Sequence, residues 1–110
     1  MANLERLRLL EEFAEEEPNN PFNWYALALE TEISQPDKAL FYFRKVLKDF
    51  PDYLPVYFPS AHFFAENELI QEAKETFESG IELAKQLKES KALRELQNAY
   101  QNFLFEYDLD

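Results

Sequence analysis

The 110-residue chain has no cysteine, one glycine and one histidine, and each scarcity removes a class of function. Without cysteine there is no disulfide framework, no thiolate metal site and no cysteine nucleophile, and His62 alone cannot make a two-histidine zinc motif. Gly80, the single glycine, cannot build a phosphate-cradling loop, because both the dinucleotide and the P-loop fingerprints need at least two. Long apolar runs are missing too. The longest, Trp24 to Leu29, is six residues, against about twenty for a membrane-spanning helix. Residues 1–17 are acid-rich rather than basic and then apolar, so no secretory leader is expected. A cytoplasmic location is expected, in keeping with the absence of cysteine.

Bases are scarce relative to acids, 11 against 22, for a formal net charge of -11. A surface of that sign repels phosphate backbones and anionic headgroups, so neither nucleic acid nor a membrane is an expected partner. Bulky apolar material is abundant: hydrophobic residues make up 46% of the chain and aromatic ones 16%, including 11 Phe and 6 Tyr. That suffices for one folded domain, which at this length hides roughly two-thirds of the surface of its unfolded chain.

Apolar residues recur at helical spacing almost throughout, and nothing alternates with the period of a strand. Leu4, Leu7, Leu10, Phe13 and Ala14 form a first stripe that stops before Pro18, with the intervening glutamates on its solvated face. Asn20 and Pro21 are a good cap and first-turn pair for a second helix through Trp24, Leu27 and Ala28 to about Ile33. After a turn at residues 34–37, Ala39, Leu40, Phe43, Val46, Leu47 and Phe50 predict a third helix closed by Pro51. Asp52 is placed to cap a fourth, with a kink expected between Pro55 and Pro59. A fifth, expected to be the longest, follows Leu69, Ile70, Ala73, Phe77, Ile81, Ala84 and Leu87. Ser90 is placed to cap a sixth, along Leu93, Leu96, Tyr100, Phe103, Leu104 and Tyr107, with fraying expected after Asp108. The fold class expected is therefore all-α, about six helices in antiparallel hairpins.

The chain also repeats itself. Pro18 and Trp24 meet Pro51 and Tyr57 at a spacing of 33, and Ala39, Phe43, Val46 and Leu47 meet Ala73, Phe77, Gly80 and Ile81 at 34. A period near 34 built from two helices marks a stacked helical-hairpin array. Trp24, Leu27, Ala28, Ala39, Phe43, Val46 and Pro51 in the first unit, and Tyr57, Ala61, Phe64, Ala73, Phe77 and Gly80 in the second, resemble the tetratricopeptide repeat pattern. Departures are Thr31 for a large residue, Ser60 for Leu and Lys85 for Pro. The resemblance covers residues 18 to about 84 and implies a short right-handed superhelix. Its parts would be an N-terminal helix (1–17), repeat one (18–51), repeat two (52–85) and a C-terminal capping helix with tail (86–110). Small-against-large packing, Ala28 with Phe43 and Ala61 with Phe77, is the expected seam of each hairpin.

The resemblance further implies that the first helix of each repeat lines a concave groove. The residues that helix leaves outside the seam are Phe22, Tyr25, Ala26, Leu29, Glu32 and Ile33 in repeat one, and Phe58, Pro59, His62, Ala65 and Glu66 in repeat two. This mainly apolar and aromatic set implies a non-enzymatic scaffold that binds a protein or peptide segment. Family members that grip a terminal carboxylate use Lys, Arg and Asn in the groove. None stands here, which favours an apolar or basic partner segment. His62 and Glu66 supply at most two metal ligands, too few for a site, so no metal, cofactor or catalytic residue is expected. Arg44, Lys45 and Lys48, and the series Lys85, Lys88, Lys91 and Arg94, read as solvated positions near helix ends. The alternative to a partner groove is self-association as a homodimer through the sixth helix, whose Tyr100, Phe103, Phe105 and Tyr107 exceed what one buried face requires.

Overall fold

A computed structural model describes residues 4–109; Met1–Asn3 and Asp110, the outermost parts of the N-terminal segment and the tail, lie outside it. Six α-helices follow one another: α1 Leu4–Glu16, α2 Pro21–Thr31, α3 Pro36–Asp49, α4 Tyr57–Glu66, α5 Ile70–Gln86 and α6 Ser90–Glu106. A single 3-10 turn, Leu54–Val56, precedes α4, and no strand occurs among the described residues. The chain divides into two compact units, residues 1–56 and 57–110. Each holds three helices, packed in sequence order: α1 on α2 and α2 on α3 in the first, α4 on α5 and α5 on α6 in the second.

In the first unit Leu7, Ala14 and Leu27 make a buried cluster, with Leu10, Trp24 and Tyr42 packed against it. Asn20 caps α2 as the sequence predicts, its side chain accepting from the Phe22 N–H at 3.1 Å ahead of Pro21. The helix stops at Thr31, two residues earlier than its apolar pattern suggests. Thr31 is fully buried yet satisfied, because its hydroxyl donates back to the Leu27 carbonyl at 2.7 Å. α3 starts at Pro36, inside the expected turn, since a first-turn proline lacks only an N–H that has no helical acceptor.

The expected kink between Pro55 and Pro59 does not occur. Asp52 does not cap α4; the chain first makes the 3-10 turn containing Pro55, and α4 then runs uninterrupted from Tyr57. Pro59 is its third residue, still within the first turn, where no intrahelical donor is lost. α5, expected to be the longest, shares that length with α6, both having 17 residues. Ser90 is the first helical residue of α6 rather than its cap, a position taken by Glu89 without a side-chain hydrogen bond. The tail does not fray at Asp108: the Leu109 N–H donates to the Leu104 carbonyl at 2.9 Å and closes the helix end.

The hairpin seams are close-packed. Ala28, Phe43, Ala61 and Phe77 are all buried. At Gly80 a Cβ would stand 2.7 Å from the Tyr57 Cβ, so only glycine lets α5 approach α4 this closely. Val46 occupies the corresponding repeat position of α3 and is itself fully buried.

Candidate interaction surfaces

Within the first unit, α2 presents Phe22 at 56% exposure and Leu29 at 40%, with Ala26 half-buried between them. Tyr25 lies partly buried, its ring edge-on to Tyr53 with centroids 5.7 Å apart. Burial, then Tyr53 and Glu32, push its phenol above the ordinary value, so it stays protonated and able to donate. Ile33 lies past the end of α2, almost wholly exposed, and Glu32 is half-buried at the helix end. These positions follow from the helix period. The side chains facing α1 and α3 are consumed by the core, and those a third of a turn away are left outside.

Within the second unit, α4 carries Phe58 at 43% exposure, Pro59 half-buried, and His62 and Glu66 on the surface. His62 Nε2 lies 3.3 Å from Glu66 Oε1, the expected meeting of residues four apart on a helix. Among the described residues no third acidic or histidine ligand joins them. Ala65 is buried, and its carbonyl accepts from the Tyr107 hydroxyl at 3.2 Å. α6 thus covers one side of the α4 face, and the two helices enclose a cleft of 330 Å³. Phe58, His62, Ala65 and Glu66 form one wall, Phe103, Glu106 and Tyr107 the other, and Phe77 contributes to the lining.

The α6 wall is what sequence reasoning missed. Its signal was the aromatic set Tyr100, Phe103, Phe105 and Tyr107, read as surplus. Three of these four pack inside the unit: Phe103 lies 5.3 Å from Phe77 and 5.2 Å from Tyr107, and Tyr100 lies 5.7 Å from Phe77. Only Phe105, at 87% exposure, points away. Tyr100 also donates to Glu78 Oε2 at 2.6 Å, tying α6 to α5. On α3, Lys45 pairs with Asp49 at 3.1 Å and stands 4.7 Å above the Trp24 ring, so part of that basic run holds the first unit together. A wider, more open hollow of 440 Å³ lies along α3 under Leu40 and Phe41, but its Arg44, Lys45 and Lys48 are nearly balanced by Asp37 and Asp49.

No protein-family model and no curated protein matches the chain. Solved structures do. A tetratricopeptide repeat domain protein from Salinibacter ruber, determined in solution, superposes with a TM-score of 0.72 at 31% identity, over 78% of this chain and 88% of that one. A crystal structure of a tetratricopeptide repeat domain protein from the same organism gives 0.71 at 30%, over 76% and 96%. The chain belongs to the tetratricopeptide repeat family. That fold is of the protein-interaction scaffold kind. No described helix is long and apolar enough to cross a membrane.

Proposed function

We propose that this tetratricopeptide repeat chain is a non-enzymatic adaptor that holds a segment of another protein through side chains of α2 and α4. Residues 18–51 and 52–85 are taken as its two repeats, with the helices of 1–17 and 86–110 flanking them. The observation that carries the reading is that Phe22, Leu29 and Phe58 remain 40% exposed or more while the core around them is complete. Aromatic and large aliphatic side chains of this kind are the usual energetic anchors of an interface. A chain at -11 with no basic residue among these positions favours an apolar or basic segment over an acidic tail.

The test is capture from native lysate by the wild-type chain beside a Phe22→Ala, Leu29→Ala, Phe58→Ala variant, both checked for helicity and molar mass. These positions are chosen because truncating Tyr25 would also remove its contact with Tyr53. A discrete protein retained by the wild type and lost by the folded variant supports the adaptor. Identical recoveries would sink it.

A further inference from the structure

The cleft between α4 and α6 combines two chemistries, aromatic and acidic, and each helix supplies part of both. Its lining is aromatic: Phe77 and Phe103 lie 5.3 Å apart, Tyr107 lies 5.2 Å from Phe103, and Phe58 borders the opening. Its rim is acidic and polar, with Glu66 from α4, Glu106 and Asn102 from α6, and His62 beside Glu66. The negative field is felt by the Tyr107 phenol, raised above its ordinary value by burial and then by Glu106, Glu66 and Glu68. A volume of 330 Å³ sits at the small end of ligand pockets, which span about 300 to 1,000 Å³. That suits one long side chain rather than a folded ligand.

An anion is repelled by such a rim, and a purely apolar side chain would meet the lining but gain nothing from the negative field of Glu106 and of Glu66, which stands 3.3 Å from His62. A planar cation satisfies both, because a guanidinium stacks on aromatic faces and donates paired hydrogen bonds to carboxylates. We propose that the α4/α6 cleft seats an arginine side chain of the partner segment, stacked on the accessible rings of Phe58 and Tyr107 and paired with Glu66 and Glu106. The assignment rests on the adaptor reading and names the chemistry of its partner.

The test is an NMR titration of the isotope-labelled full chain with a blocked seven-residue peptide, alanine and leucine around one central arginine, beside the same peptide carrying citrulline. Citrulline keeps the shape and removes the charge. The arginine peptide is expected to shift the signals of Phe58, His62, Phe103 and Tyr107 and to bind about tenfold tighter than the citrulline peptide. A Glu66→Gln, Glu106→Gln variant, altered only at exposed side chains, should keep its fold and lose that preference. Equal binding of the two peptides, shifts confined to other residues, or no shift at millimolar peptide would overturn the assignment. So would a dimer, formed without peptide, that the same variant dissolves, since the cleft would then belong to a second copy. A lysate partner that depends on Phe22 and Leu29 but ignores the glutamine pair removes the arginine assignment and leaves the adaptor standing. Recoveries unchanged by either variant remove both.

Discussion

Helices in residues 1–56 are punctuated by proline, whereas those in residues 57–110 end by turning one residue left-handed. Five of the six prolines, Pro18, Pro21, Pro36, Pro51 and Pro55, fall in the first unit. All three positive-φ residues of the described chain, Glu68 at 63°, Lys88 at 57° and Asp108 at 55°, fall in the second. Each is followed by an N–H that reaches back over the helix end: Leu69 to Phe64 at 2.8 Å, Glu89 to Ala84 at 3.0 Å and Leu109 to Leu104 at 2.9 Å. This motif usually employs glycine, and here Glu, Lys and Asp adopt the strained conformation instead. The single glycine is used elsewhere, inside the α4/α5 seam. A chain short of glycine thus closes its helices in two ways, by forbidding continuation with proline or by accepting backbone strain.

The largest effects should come from exchanging the seam residues. Gly80→Val drives a branched side chain onto Tyr57 and is expected to lose about 3 kcal/mol, because the opposing atom is a Cβ that no rotamer change can move. The reciprocal Val46→Gly empties a fully buried position and adds glycine's helix penalty, for a loss of about 2–3 kcal/mol. Urea unfolding measures both. If either substitution were silent, the two repeat positions would be interchangeable and the seam assignment wrong.

The caps give the next effects. Asn20→Ala removes the hydrogen bond to Phe22 and should lose about 1 kcal/mol. Lys88→Gly should instead gain about 0.5–1 kcal/mol, relieving a left-handed lysine. A loss on Lys88→Gly in thermal unfolding would mean that strain is not what separates the two units.

The smallest effect belongs to Tyr100, and alkaline pH removes it. Burial and its bond to Glu78 push this phenol from 10.0 to about 12. A phenol raised in the folded state stabilises it while protonated. That stabilisation is complete below pH 10 and lost as pH rises toward 12. Tyr100→Phe should flatten the fall of stability with pH across this window. In the first unit Tyr25, Tyr42 and Tyr53 are also raised, with burial the leading cause, so Tyr25→Phe should act in the same direction. An unchanged pH profile in Tyr100→Phe would remove the Glu78 bond from the account.

Much of the fold was legible because helical period and proline position are local signals. Asn20 with Pro21 marked the start of α2, and the spacing of Ala39, Phe43 and Val46 marked the buried face of α3. Pro59 defeats sequence reading because sequence does not say how far into a helix a proline stands: a helix capped by Asp52 would hold it in the interior, whereas one that begins at Tyr57 holds it in the first turn. The candidate site was legible in part. Phe22, Leu29 and Phe58 are exposed as their helix register implies, whereas Ala65 is buried and its carbonyl is met by Tyr107, 42 residues away.

What the sequence alone determined is the all-α class, the repeat of 33 to 34 residues, the family and the acidic charge, because each follows from residue type and spacing along one helix. Tertiary structure decided where α6 lies on the second unit, and with it the cleft in which Glu106 and Phe103 join Glu66 and Phe58. The reason is physical: the period of a helix tells which face is apolar, but which neighbour covers that face is settled only by the packing of helices distant in sequence.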